Sequence, residues 1–252
     1  MCTVSFLRLR QGYSLMMNRD ESPLRPAPET LAQPVLDGPG GPRRVLYPVD
    51  PSSGGTWIGV SERGPGFCLL NQHPQGWRHR PGLASRGRLL PLALAADTAI
   101  AGLERVAAED LSATAPFLLV GVDEQQAPLS LRWDGQRLER RLHPEEPGLW
   151  TSSAFEPEAV DRSRRQLFHQ RLEALPQGLD DAALLQEQEN FHFSEDPAPG
   201  PLAVWMTRDD ARTVSYTQLL MLPGRGLLRY LERGSRESGE PPLVLALARS
   251  IP

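Results

Sequence analysis

Apolar residues fall along this chain in two periods, and the period changes at turn residues. Thr3 to Leu9 and Tyr13 to Met17 carry strand formers on either side of Gln11-Gly12, a pattern that predicts a hairpin. With the turn centred at Gln11, Cys2 faces Asp20 across the ladder, close enough for their side chains to interact. Thr56 to Val60 and Gly66 to Asn71 predict a second hairpin around Gly64-Pro65. Leu and Ala then recur at helical spacing from Ser85 to Ala96 and from Ala99 to Ala108, with Asp97-Thr98 as a cap between two helices that cover one sheet. Phe117 to Val122, Leu129 to Trp133 and Arg137 to Leu142 predict a meander with Asp134-Gly135 at its last turn, and Gly148 to Ser153 predicts a strand returning toward Cys2. Pro157 to Leu175 and Asp180 to Gln188 predict helices on a second sheet, with Arg162, Arg164 and Arg165 on a solvated face. Leu202 to Met206, Thr213 to Leu222, Gly226 to Glu232 and Leu243 to Ala248 complete the strands. Between Glu21 and Ser53, Pro, Gly and charged residues break any period. A long surface loop is expected there, able to act as a lid, with Arg43-Arg44 as an exposed pair.

Composition narrows the class. At 252 residues and 40% hydrophobic content the chain can bury a substantial core, and with no shift in composition between its halves a single domain over 1–252 is expected. A formal net charge of −4 gives no electrostatic footprint for nucleic acid. All 27 basic residues are arginine, which excludes Schiff-base and P-loop lysines and suits a GC-rich bacterial genome. Cys2 and Cys68 are too few for a disulfide framework, and no Cys/His spacing matches zinc, so a reducing compartment and no metal are expected. No basic segment followed by an apolar run opens the chain. The longest apolar stretch, Leu89 to Leu103, is broken by Pro91 and Asp97, so a cytoplasmic protein without a transmembrane segment is expected, its oligomeric state open.

Chemistry concentrates near the start. Removal of Met1 would leave Cys2 first in the chain, with a thiol and an α-amine whose ordinary pKa values of about 8.5 and about 8 make proton exchange between them cheap. Nucleophile and base then share one residue. Asp20 could orient the amine, and Arg19 could favour the thiolate or hold a substrate carboxylate. The alternative for Asn18-Arg19-Asp20-Glu21 is a solvated turn with a surface ion pair. Trp57 suits a core anchor, or else a substrate platform. Arg212 either holds an anionic substrate group or pairs with Asp209 or Asp210. His73 and His79 flank a loop where histidines are commonly solvated, and no haem attachment motif accompanies them.

Met1-Cys2-Thr3, Asn18-Arg19-Asp20-Glu21 with Arg25-Pro26, and Gly54-Gly55-Thr56-Trp57-Ile58-Gly59 resemble the NRDE family, that of transport and Golgi organisation protein 2. The likeness continues through Leu70-Asn71 and Ser85-Arg86-Gly87-Arg88-Leu89, and returns more weakly at Thr151 to Ala154 and Ala211 to Ser215. That family resembles the N-terminal nucleophile hydrolases of the penicillin V acylase and bile salt hydrolase branch. The resemblance implies an α+β fold, a four-layer αββα sandwich of two antiparallel sheets. It implies Cys2, Arg19, Asp20 and Asn71 as catalytic residues for hydrolysis of a linear amide without a cofactor, Asn71 donating to the oxyanion. By itself Asn71 equally suits an Asx turn. Asn18, Trp57, Ser153 and Arg212 are then the expected substrate contacts. Where relatives carry Ser-Asn this chain has Ser152-Ser153, and the shorter serine side chain weakens the donation expected there. The family's link to haem trafficking, and to acyl-coenzyme A or lipid handling, implies the other reading. In it the protein is a non-catalytic carrier whose Cys2, His73, His79 or a methionine contacts haem iron while arginines hold propionates.

Overall fold

The first turn is set by a glycine. Leu9 N–H bonds the Gly12 carbonyl at 3.0 Å, and Gly12 sits at φ +104°, where a Cβ would fall 1.8 Å from the Met221 carbonyl oxygen. The strands it joins are β1 (Cys2–Arg8) and β2 (Tyr13–Glu21). The computed structural model describes residues 2–25, 31–78 and 80–249. Chain order continues with β3 (Leu31–Ala32), β4 (Val35–Gly38), β5 (Gly41–Pro48), β6 (Ile58–Ser61), β7 (Gly66–Asn71), α1 (Leu89–Leu94) and α2 (Ala99–Ala107). Then come β8 (Phe117–Val122), β9 (Leu129–Trp133), β10 (Leu138–Leu142), β11 (Gly148–Ser152), α3 (Pro157–Glu173) and α4 (Asp181–His192). The last elements are β12 (Arg212–Leu222), β13 (Arg225–Glu232), α5 (Arg233–Ser238) and β14 (Leu243–Ala248).

One sheet runs β11-β1-β2-β12-β13-β14, and the second runs β10-β9-β8-β7-β6-β5-β3 with β4 paired to β5. Alternation along the strands decides the layers. Val4, Phe6, Tyr13, Leu15 and Met17 of the first sheet meet Ile58, Val60, Cys68, Leu70, Val120 and Val122 of the second in one buried cluster. The other face of the second sheet packs Phe67, Phe117 and Leu119 against Leu90 and Leu94 of α1 and Leu103 of α2. The other face of the first packs Leu7 and Leu149 against Phe168 of α3 and Phe191 of α4. The architecture is thus an α+β, four-layer αββα sandwich. Among the described residues no helix is long and apolar enough to cross a membrane.

Several positions depart from the sequence pattern. Residues 31–48, expected inside a structureless loop, hold β3 to β5, because Val45 and Leu46 bury their side chains on opposite faces of the second sheet. Arg43, expected to be exposed, is buried. Its guanidinium reaches Asp97 at 2.9 Å and the Gly41 carbonyl at 3.1 Å, tying the β4–β5 hairpin to the α1–α2 connection. The helix expected from Ser85 opens as a 3-10 turn over Arg86–Arg88 before α1 begins, while Thr98 caps α2 by accepting from Ala101 N–H at 3.1 Å. Leu202 to Met206, expected as a strand, is irregular: the Leu202, Ala203 and Val204 carbonyls accept from Arg164 and Asn18 side chains instead of from a neighbouring strand.

Candidate active site

The loop from Leu9 to Gly12 shifts the expected register of the first hairpin by one residue. Cys2 pairs with Arg19, not Asp20. A slip of one sends alternate side chains to opposite faces. Cys2 and Arg19 therefore share the inner face, at the end of the core between the sheets, while Asp20 turns its carboxylate toward α3. The Asp20 backbone still bonds the Cys2 sulfur, and burial pushes the Cys2 thiol up from its ordinary pKa.

Cys2 lies in a cleft of about 330 Å³ whose walls include Arg19, Asp20, Glu21, Arg25, Asp50, Trp57, Asn71 and Arg86. Two backbones meet closely to build one wall. A Cβ on Gly55 would lie 2.8 Å from Gly87, so the segment before Trp57 and the turn carrying Arg86 pack against each other. The Arg19 guanidinium stands 4.5 Å from the centre of the Trp57 ring. It reaches Glu21 and Asp50 only at 3.9 and 4.0 Å. Arg25 holds the same two acids more closely, Glu21 at 3.0 Å and Asp50 by a short contact. Burial works against the Asp50 carboxylate, but the Ser52 N–H, Arg25 and Arg19 outweigh it and keep Asp50 below the usual carboxylate range. Asn71 ends β7 at the cleft wall, and among the described residues its side-chain amide donates no hydrogen bond. Trp57 is a core residue, as expected, and also forms part of the cleft wall.

The remaining expected residues lie elsewhere. Asn18 is turned away from the cleft: its amide donates to the carbonyls of His192 at 2.7 Å and Val204 at 3.0 Å, and its oxygen faces His192 Nδ1 at 3.0 Å. Ser153 is buried outside the cleft lining, its hydroxyl engaged with the Phe155 backbone. Arg212 is exposed, opposite Glu21 across the β2–β12 ladder. His73 is exposed and outside the lining. Met1, Pro26 and His79 lie outside the described residues. Among those described, no group of three or more His, Cys, Asp or Glu could hold a metal ion.

The residue most clearly missed by the sequence is Arg164. It is fully buried, bonds the Thr3 hydroxyl and the Ala203 carbonyl, and reaches the Asp20 carboxylate at 3.5 Å. Thr213 donates to the other Asp20 oxygen at 2.6 Å. A signal existed: Val160, Arg164 and Phe168 are the buried residues of α3, four apart, so an arginine sits within an apolar stripe and needs a partner there. Beneath α4, Asn18, Ser5, Gln188 and His192 form a second buried network, with Ser5 Oγ 2.7 Å from His192 Nε2 and accepting from Gln188 at 2.9 Å. Asn18 donates both its N–H groups to carbonyls, so its oxygen accepts from His192 Nδ1–H and leaves Nε2 to accept from Ser5. Burial pushes this neutral imidazole down to about 3.

Comparison with solved structures finds the same fold in penicillin V acylase from Agrobacterium tumefaciens, at TM-score 0.62 and 10% identity, covering 98% of this chain and 86% of that one. Conjugated bile acid hydrolase from Clostridium perfringens matches at TM-score 0.59 and 10% identity, covering 98% and 92%. The Caenorhabditis elegans orthologue of N-acylethanolamine-hydrolyzing acid amidase matches at TM-score 0.56 and 13% identity, covering 97% and 100%. These likenesses show the N-terminal nucleophile hydrolase fold. A comparison with curated proteins finds no match. The model of the Transport and Golgi organisation 2 family matches residues 1–188, and the chain belongs to that family.

Proposed function

We propose that this protein hydrolyses a linear amide of a small acyl compound, with Cys2 as nucleophile once Met1 is removed. What supports the reading is one cleft in which a buried cysteine faces Arg19 while Asn71 keeps an amide that donates to nothing among the described residues. The Cys2 thiol attacks the carbonyl carbon, and its own α-amine takes the thiol proton. Charge develops on the carbonyl oxygen, to which Asn71 donates. The ammonium returns the proton to the leaving amine as the C–N bond breaks, leaving a thioester on Cys2. Water, deprotonated by the same amine, then cleaves the thioester and releases the acid. Arg19, braced on Trp57, orients the substrate, while Asp20, its carboxylate held by Thr213 and Arg164 on the helix side, fixes the strand end opposite the amine. Because burial keeps the thiol protonated, the rate depends on an amine free to accept its proton and rises with pH through the amine's ordinary value of about 8. A free thiol nucleophile suits a reducing compartment, so the cytoplasm is the proposed location.

The donors present do not fit haem. Among the described residues no histidine or methionine lines the cleft, and burial opposes the thiolate that would ligate iron. The volume of about 330 Å³ stands at the small end of ligand pockets.

Intact mass of the protein purified from its native cells, followed by an amide screen, tests the proposal. The expected result is loss of the Met1 mass, with hydrolysis falling on the order of ten-thousand-fold or more in Cys2→Ala. Retention of Met1, or hydrolysis that survives Cys2→Ala, overturns it.

A further inference from the structure

Three arginines line the cleft, and their circumstances differ. Arg19 and Arg25 share the carboxylates of Glu21 and Asp50. Arg86 has no carboxylate within ion-pair distance among the described residues, and its one hydrogen bond there runs from Nη1 to the Pro116 carbonyl at 3.0 Å. Its position is fixed, because the turn it belongs to abuts Gly55 and Thr56 through Gly87. Burial works against its charge and moves its pKa down, yet a guanidinium stays protonated in proteins. A partly buried cation with unused donors, and no carboxylate paired with it among the described residues, is unfavourable by itself and becomes favourable when an anion arrives. A planar carboxylate meets that fork with two parallel bonds.

We infer that Arg86 binds a carboxylate of the substrate, so that the amide cleaved at Cys2 belongs to a small anionic compound and not to a neutral one. The inference rests on the hydrolase reading above and names its substrate class. The carboxylate belongs either to the acyl part or to the amine part, and both sources present the same group to Arg86.

Two pairs of amides test it on the protein with Met1 removed. Glutaryl para-nitroanilide is compared with valeryl para-nitroanilide for a carboxylate on the acyl side. The butyryl amide of para-aminobenzoate is compared with butyranilide for the amine side. The charged member of at least one pair is expected to show the higher kcat/KM. Arg86→Gln lowers that preference about 10- to 100-fold, chiefly through KM, and Arg86→Lys restores part of it. Arg88→Gln, on the same turn but outside the cleft lining, leaves the preference in place. Equal turnover within both pairs, or a preference that survives Arg86→Gln, overturns the inference and leaves the hydrolase reading standing. If no amide is turned over, calorimetric titration of glutaryl anilide into Cys2→Ala decides the matter separately. Saturable binding that Arg86→Gln removes supports a carboxylate site even though hydrolysis has failed, and heats that do not saturate, or that ignore Arg86, overturn it.

Discussion

On the face of β2 turned toward the helices, Asn18 makes three hydrogen bonds and Asp20 is gripped by Thr213 and Arg164. On the face turned toward the cleft, Arg19 reaches its nearest acids only at 3.9 and 4.0 Å, and among the described residues the nearby Asn71 and Arg86 keep donors unused. One strand thus carries the motif Asn18-Arg19-Asp20 with its middle residue on one side and its outer two on the other. The difference teaches what the motif is for. Its outer residues anchor the hairpin to α3 and α4, where polar groups cut off from water need partners. Its middle residue faces space that a ligand can fill.

The largest effect is expected where the helix-side network is cut. Arg164 and Asp20 are fully buried, so Arg164→Met leaves Asp20 with much of its charge uncompensated, at a cost of about 3–5 kcal/mol. Urea unfolding measures it, and Asp20→Asn in the same chain should recover part of the loss. A stability unchanged by Arg164→Met would show that the two faces do not differ in this way.

The cleft side should behave in the opposite manner. Asn71→Ala is expected to lower kcat about 100- to 1000-fold while moving stability by no more than about 0.5 kcal/mol, because its amide donates to none of the described residues. Matched losses of activity and stability would make Asn71 a structural residue.

The smallest effect per step is a pH dependence contributed by the helix side. His192 is held neutral, its folded pKa pushed down to about 3 from the ordinary 6.5. A base whose folded pKa is lowered contributes stability above the unfolded value and loses it as pH falls. Between pH 6.5 and about 3 stability should therefore fall by about 1.4 kcal/mol per pH unit from this residue. Unfolding curves across that range check the slope, which His192→Gln should make shallower by this residue's share.

Most strands were legible from the sequence because their apolar alternation is local: Phe117–Val122, Leu129–Trp133 and Leu243–Ala248 form where the pattern puts them. The site was legible in part. Cys2, Arg19, Asp20, Trp57 and Asn71 all line one cleft, whereas Asn18, Ser153 and Arg212 do not, since the motif alone does not say which way each side chain faces. Arg43 and Arg164 read as surface charge because composition counts an arginine without knowing its partner. In the fold one meets Asp97 from 54 positions away and the other meets Asp20 from 144.

The periods, the turns and the cysteine, arginine and aspartate at the start of the chain can be read locally, because these depend on neighbours a few residues apart. The rest was settled by packing between distant elements. A one-residue register, fixed by the Leu9–Gly12 turn and by Gly12 packed against Met221, set Arg19 across from Cys2 and sent Asp20 to the helices. A contact with Gly55 brought Arg86 to the same cleft. Those choices follow from which faces must be buried against distant elements, and no local pattern encodes them.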